Sequence, residues 1–189
     1  MKESVMADLK PPLKGYSLWF MAKEDAHKQL EAIVNRLTQK FNTRRFEPHA
    51  TLSGLLNYSL NDLAVMVDIT GSMARKAQCF NVEIIGVGKR NMHLQSIILP
   101  VVPHTKMMEL NRIARTCFHH ENDPPYFPHF SALYGDLSRE EKLEAQDLIE
   151  EIMNFPTSVT IDSIALVEVH GHPDEWKIVT QFPLRRIGS

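Results

Sequence analysis

Two short stretches, Pro48-His49-Ala50-Thr51 and Pro128-His129-Phe130-Ser131, repeat one pattern within a chain of 189 residues. Each stretch has a proline, a histidine, an apolar residue and a hydroxyl residue, in that order. A proline is tolerated where a strand begins, and residues i and i+2 of a strand point to the same face. We therefore expect two strands, each of which presents an imidazole and a hydroxyl group on one face.

The segments around these stretches also repeat. Each half of the chain reads strand, helix, strand, at about Tyr16–Leu55 and Met92–Tyr134, and the second strand of each half begins at the histidine. Apolar spacings of three and four predict the helices, and Ser138 with Glu141 forms a capping box. The expected elements are strand Tyr16–Ala22, helix Glu24–Phe41, strand His49–Leu55, a helix from Ser59, strands Cys79–Val87 and Met92–Val102, a helix from Pro103 to Phe118, strand His129–Tyr134, a helix from Ser138 to Met153, and strands Ser158–Val169 and Trp176–Phe182. The repeat predicts a pseudo-twofold protein with its site between two lobes.

If the two lobes face each other, two imidazoles and two hydroxyl groups meet in one cleft. One imidazole can accept a proton from an attacking water while the other protonates the departing oxygen. The hydroxyl groups can donate hydrogen bonds to the non-bridging oxygens of a phosphoryl group. One such motif on a strand is a weak signal, but two at matching positions of a repeat favour metal-free phosphoester hydrolysis.

Both motifs resemble those of the 2H phosphoesterases, a family named for two His-x-(Ser/Thr) motifs, and within it the plant and fungal cyclic phosphodiesterases. The segment Arg45-Phe46-Glu47-Pro48-His49-Ala50-Thr51-Leu52 is similar to the first motif of that group. The segment Pro125-Tyr126-Phe127-Pro128-His129-Phe130-Ser131-Ala132-Leu133-Tyr134 is similar to the second, including the tyrosine five positions beyond the histidine. Weaker similarity extends over most of the chain, from Tyr16-Ser17-Leu18-Trp19 to Glu175-Trp176.

The resemblance implies an α+β fold, bilobal and pseudo-twofold, in which residues 1–189 form one domain. Two mainly antiparallel sheets would line a central groove, with the helices outside. The resemblance also implies metal-independent hydrolysis of small cyclic phosphates, namely ADP-ribose 1″,2″-cyclic phosphate and nucleoside 2′,3′-cyclic phosphates.

The resemblance assigns roles to individual residues as well. His49 and His129 are implied to be catalytic, and Thr51 and Ser131 to bind phosphate. Tyr134 is implied to line the substrate site. Trp19 lies in the strand beside the first motif. Two roles stay open for Trp19: a platform for a base or ribose, or a residue of the core.

Composition narrows the alternatives. Hydrophobic residues make up 43% and charged residues 23% of the chain, the balance of an ordinary globular protein. Lys+Arg 21 against Asp+Glu 23 gives a net charge of -2, which disfavours a stable complex with nucleic acid. Arg44 and Arg45 before the first motif either attract phosphate or form a solvated loop end. Two other functions remain open: a 2H enzyme that opens cyclic phosphates at RNA ends, and a nucleotide-binding module without turnover.

The remaining expectations concern location and partners. Cys79 and Cys117 are too few for a secreted disulfide framework, although a bond between them stays open. No apolar stretch approaches the length of a membrane span or a signal peptide. The pairs His119-His120 and His170-x-His172 have no recognised zinc spacing. We expect a cytoplasmic monomer that uses no cofactor or metal, binds a small nucleotide cyclic phosphate and contacts no membrane.

Overall fold

The computed structural model describes residues 9–56 and 62–186. Within these ranges the elements are β1 (Tyr16–Ala22), α1 (Glu24–Lys40), β2 (Ala50–Leu56), α2 (Leu63–Lys76), β3 (Phe80–Ile84), β4 (Gly88–Lys89), β5 (Ile97–Pro100), α3 (Thr105–Cys117), β6 (His129–Leu133), α4 (Arg139–Glu150), β7 (Thr157–Glu168) and β8 (Lys177–Pro183). Two short 3-10 helices, His93–Gln95 and Pro173–Glu175, precede β5 and β8.

The helices form where the apolar spacing predicts them. In α1, the residues Leu30, Ile33 and Leu37 are buried and share one face. Helix α4 begins at the predicted capping box: the Ser138 N–H donates to Glu141 Oε2 at 2.7 Å, and the Glu141 N–H donates to Ser138 Oγ at 3.1 Å. Two N–H groups that the first helical turn leaves unpaired are thereby satisfied.

All the described strands belong to one antiparallel sheet in the order β3-β7-β1-β2-β6-β5-β4, and β8 also pairs with β7. Strand β1 lies near the middle, and each of its residues is buried. The edge strand β3 returns to the end of β5 through an isolated bridge between Ile84 and Val101. The Val102 N–H donates to the Glu83 carbonyl at 2.9 Å beside that bridge. The sheet is therefore curled, and the edge strand β3 contacts the end of β5 in the other half of the sheet.

The two halves of the sheet meet at a single residue pair, Ala50 of β2 and Phe130 of β6. Both side chains are fully buried. The expected α+β fold, with repeated strand-helix-strand units and antiparallel strands, is confirmed. The two mainly antiparallel sheets that were expected are joined into one sheet through this pair. The two motif strands join where the apolar middle residue of each motif points into the shared core.

The helices cross over between the two units. Helix α1 packs against β6 of the second unit, and α3 packs against β2 of the first. Along β1, alternate residues divide between two faces: Leu18 and Phe20 join the main core with the helices, whereas Trp19 and Met21 join a smaller cluster on the other side. The helices therefore cover one face of the sheet, and the opposite face is left for the site.

Several predicted boundaries differ from those observed. The strand expected at Met92–Val102 begins only at Ile97, because the Gln95 N–H donates to the Met92 carbonyl at 3.0 Å and closes a turn before it. The strand expected at Cys79–Val87 ends at Ile84, since the following backbone leaves β7 and bonds to the end of β5. The short strand β4 was not predicted.

Three remaining expectations concern a helix start, the cysteines and the membrane. Ser59, the expected start of the second helix, lies outside the described residues, and α2 begins at Leu63. Cys79 and Cys117 are both free thiols. None of the described helices has the length and apolar composition that crossing a bilayer requires.

Candidate active site

A cleft of about 240 Å³ lies where β2 and β6 pair, and His49, Thr51, His129 and Ser131 all line it. Ala50 and its partner on β6 point into the core, so the residues on either side of them point to the opposite face. In an antiparallel pair, the residue before one position faces the residue after the other. His49 therefore faces Ser131, and Thr51 faces His129.

The two motifs also have corresponding neighbours in the next strand. Thr51 of β2 pairs with Trp19 of β1, and Ser131 of β6 pairs with Ile98 of β5. Both neighbours are 2% exposed. The repeat therefore places one large side chain beside the first motif and a smaller one at the matching position of the second.

His49 is held on two sides. Its Nδ1 lies 2.6 Å from the Glu47 carbonyl oxygen. Its ring stacks face to face on Trp19, with 3.5 Å between ring centres and 5° between the planes. Because a carbonyl oxygen only accepts hydrogen bonds, Nδ1 carries the proton that it donates there. Nε2 is then the nitrogen that can exchange a proton with a ligand.

His129 repeats this arrangement in the second half. Its Nδ1 lies 2.8 Å from the carbonyl oxygen of Phe127, two residues earlier, as His49 does with Glu47. The Phe127 ring is tilted beside it, with 5.7 Å between ring centres. The same hydrogen bond therefore assigns the same tautomer to both imidazoles, and Nε2 is the free nitrogen of each.

The surroundings of both imidazoles favour their neutral forms. Burial lowers the pKa of His49 to about 4, the nearby His129 adds to this lowering, and the Glu47 carbonyl opposes it. Burial also lowers the pKa of His129, with a further lowering from the positive charge of Arg90. An anion between the rings would raise the pKa of whichever ring keeps a proton. Charge at this site is therefore coupled to the binding of an anionic group.

Tyrosine side chains lie near both hydroxyl residues. The Tyr126 hydroxyl donates to the Thr51 carbonyl at 2.8 Å. Burial raises the pKa of Tyr134, and the nearby side chain of Ser131 lowers it by a smaller amount. Burial raises the pKa of both tyrosines, so both stay protonated at neutral pH, and Tyr126 helps to fix Thr51 in the cleft.

The structure places Trp19 and Tyr134 at the cleft, but both are nearly buried. Trp19 is 2% exposed and Tyr134 is 6% exposed. The Tyr134 ring stacks on Phe46 with 3.8 Å between centres. Neither residue presents an open ring face on which a base could stack. Of the two roles left open for Trp19, the structure favours packing, and the substrate contact expected of Tyr134 stays a prediction.

Sequence reasoning did not identify two residues that support the first motif. One is Tyr126, although it stands inside the second motif segment. The other is Asn111 of α3, whose Nδ2 donates to the Leu52 carbonyl at 2.7 Å. Asn111 is 6% exposed and lies on the same helix face as Leu110 and Ala114. A polar residue on an otherwise apolar helix face was the available signal.

Two further features bear on the site. Among the described residues, no group of three or more His, Cys, Asp or Glu side chains could hold a metal ion. A larger cavity of about 480 Å³ lies between α2 and α3, but none of the residues of the two motifs lines it. The smaller cleft has the imidazoles and hydroxyl groups that chemistry on a phosphate requires.

Comparisons with known proteins point to one family. A family model described as "Cyclic phosphodiesterase-like protein" matches residues 14–184. The cyclic phosphodiesterase of Arabidopsis thaliana is 27% identical over 132 residues, which are 70% of this chain and 71% of that protein.

Solved structures share the fold at low identity. TT0787 of Thermus thermophilus has a TM-score of 0.65 and 14% identity, over 90% of this chain and 98% of that one. LigT of E. coli in its apo form has a TM-score of 0.62 and 11% identity, over 91% and 98%. The family match contains both His-x-(Thr/Ser) motifs and all the described strands and helices. The chain thus belongs to the cyclic phosphodiesterase-like family of 2H phosphoesterases.

Proposed function

We propose that this protein hydrolyses small cyclic phosphates, namely ADP-ribose 1″,2″-cyclic phosphate and nucleoside 2′,3′-cyclic phosphates, with His49 and His129 as acid and base. One observation carries the proposal. The pair Ala50–Phe130 brings one imidazole and one hydroxyl group from each half to the same cleft. Membership of the cyclic phosphodiesterase-like family supports the reaction class.

In this mechanism both proton transfers use Nε2, because each Nδ1 donates to a backbone carbonyl. The Nε2 of one ring accepts a proton from water as the water oxygen bonds to phosphorus. The Nε2–H of the other ring gives its proton to the ribose oxygen as the P–O bond to that oxygen breaks. The cyclic diester becomes a monoester and a free hydroxyl group. By analogy with the family, His129 is the base and His49 is the acid.

Thr51 and Ser131 would bind the non-bridging oxygens of the same phosphate. Each hydroxyl lies across the strand pair from the histidine of the other half. Hydrogen bonds to these oxygens strengthen as negative charge builds up on them. The two imidazoles supply both proton transfers, so this mechanism needs no metal ion.

The test is turnover in the presence of EDTA. We expect hydrolysis of the small cyclic phosphates, and a lower kcat/KM on an RNA oligonucleotide that ends in a 2′,3′-cyclic phosphate. Nucleotides are sensible probes, since E. coli LigT, which shares the fold, has a structure complexed with 3′-AMP. His49→Ala and His129→Ala should each lose most of the activity, whereas His170→Ala, an exposed histidine outside the cleft, should not.

Three outcomes would contradict the proposal. A higher kcat/KM on the RNA would indicate an RNA-end-processing enzyme. Binding of the small cyclic phosphates without turnover would indicate a nucleotide-binding module. Loss of activity in EDTA that zinc or manganese restores would exclude the mechanism with two imidazoles alone.

A further inference from the structure

Arg90 is a cleft residue for which the proposed reaction has no role. It directly follows β4 and lines the cleft together with His129. Its guanidinium carbon lies 5.5 Å from the centre of the Phe127 ring, which is a cation–π contact. Its Nη1 donates to Gln95 Oε1 at 2.5 Å, and its backbone N–H donates to the Ser96 carbonyl at 3.0 Å. These contacts hold a positive charge in place at the cleft.

This charge has no carboxylate partner in residues 9–56 and 62–186. The two arginines that precede the first motif differ in this respect. Arg44 pairs with Asp174 at 3.0 Å, and Arg45 pairs with Glu31. Neither Arg44 nor Arg45 lines the cleft. Of these three arginines, Arg90 is therefore the one whose charge is available to a ligand.

Arg115 is the other arginine that lines the cleft, and its guanidinium group donates hydrogen bonds within the protein. Its Nη1 donates to the Asp123 carbonyl at 3.1 Å, and its Nη2 donates to the Pro124 carbonyl at 2.6 Å. Within the described part of the chain, the acceptor for Arg90 is the single amide oxygen of Gln95. A guanidinium group has five N–H donors. Arg90 therefore keeps donors on Nε and Nη2 for a bound group.

Arg90 lies beside the reacting groups. The Phe127 ring on which it packs neighbours the His129 ring at 5.7 Å. Phe127 is 47% exposed, so this end of the cleft opens to solvent. The charge of Arg90 also lowers the pKa of His129. A phosphate held between the two Nε2 atoms would thus have Arg90 on the Phe127 side of the cleft, towards the opening.

We propose that Arg90 binds a second phosphate group, which the substrate carries in addition to the cyclic phosphate. The proposal rests on the proposed function, because it assumes that the cyclic phosphate lies between the imidazoles. A guanidinium group can donate two parallel hydrogen bonds to phosphate oxygens. The favoured substrates are therefore ribonucleotides with both a cyclic phosphate and a separate mono- or diphosphate, and nucleoside cyclic phosphates are poorer ones.

The kinetic test compares two substrates that differ by one phosphate: adenosine 2′,3′-cyclic phosphate and its 5′-phosphorylated form. Arg90→Gln should lower kcat/KM for the 5′-phosphorylated substrate by about 10- to 100-fold, as expected for lost hydrogen bonds to a charged group. The value for the other substrate should change far less, through the effect of the lost charge on the pKa of His129 alone. Arg90→Lys should lose less, because it keeps the charge without the planar fork. Arg112→Gln, an exposed position of α3 outside the cleft, removes the same charge and should affect neither substrate.

A binding test does not depend on turnover. Calorimetry would compare adenosine 2′-monophosphate with adenosine 2′,5′-bisphosphate, and Arg90→Gln should weaken binding of the bisphosphate alone. Equal losses for both members of either pair would place Arg90 on the reacting phosphate and overturn the proposal. No loss for either member would also overturn it. If the wild-type protein hydrolyses neither cyclic phosphate but still binds the bisphosphate through Arg90, the proposed function is refuted. The second phosphate site at Arg90 then still stands.

Discussion

Replacing Trp19 should disturb the position and the pKa of His49 more than it weakens substrate binding. The indole is 2% exposed and stacks on the imidazole at 3.5 Å, and its Nε1–H donates to Ser17 Oγ at 3.0 Å. Trp19→Ala leaves a cavity behind the imidazole and should lower the free energy of unfolding by about 3–5 kcal/mol. Trp19→Phe keeps an aromatic face and should lose less. Chemical denaturation of the wild type and both variants measures this loss.

The same change should alter the titration of His49. Burial is the largest cause of its lowered pKa, so water entering the cavity in Trp19→Ala should raise that pKa from about 4 towards 6.5. A loosely held imidazole should lower kcat, while KM changes little. NMR titration of the imidazole and Michaelis kinetics measure both effects in the folded variant.

Trp176→Ala is the matched control. Its ring lines the same cleft and lies 6.1 Å from Trp19, but it does not stack on His49. This variant should leave the His49 titration unchanged. If Trp19→Ala raises KM, keeps kcat and leaves the pKa of His49 in place, the indole is a platform for the substrate and the reasoning is wrong.

The other predictions concern the hydroxyl groups and pH. Thr51→Ala and Ser131→Ala should each lower kcat by about 10²–10³ with little change in Tm, and unchanged kcat in both would show that the phosphate is held elsewhere. The pH profile of kcat/KM should be bell-shaped with its maximum below pH 6.5, because both imidazoles have lowered pKa values; a maximum at pH 8 would contradict this. Unfolded His49 binds a proton near pH 6.5 and folded His49 only near pH 4, so the free energy of unfolding should fall by up to about 3 kcal/mol as pH drops through that interval. Denaturation of His49→Asn across the same pH range should lack most of this fall.

The repeat and its two motifs were predictable because they depend on local pattern. Proline, histidine and an alternating hydroxyl residue specify where a strand starts and which side chains share a face. The pairing of Ala50 with Phe130 was not predictable, because it joins residues 80 positions apart and depends on how the helices of each unit pack on the other. The joining of the two expected sheets into one was not predictable for the same reason.

The roles of Trp19 and Arg90 also lay beyond the sequence. The sequence does not show whether the ring of Trp19 is open to a ligand or covered by the protein. The structure shows that the ring is covered, because the imidazole of His49 stacks on it. Arg90 follows the two-residue strand β4, which has too few residues to show an alternating pattern. Its place beside Phe127 depends on contacts between segments that are distant in the chain.

Trp19 and Ile98 occupy corresponding positions in the two repeated units, and they make the surroundings of the two motifs different. An ideal twofold repeat would supply two equivalent imidazoles, yet the proposed hydrolysis requires one to give a proton and the other to take one. The backbone hydrogen bonds of His49 and His129 are alike, so they do not distinguish the two. Trp19 beside one motif and Ile98 beside the other make the two halves chemically unequal while the architecture stays symmetric. In the proposed mechanism, this inequality gives the two imidazoles different surroundings, as an acid and a base need.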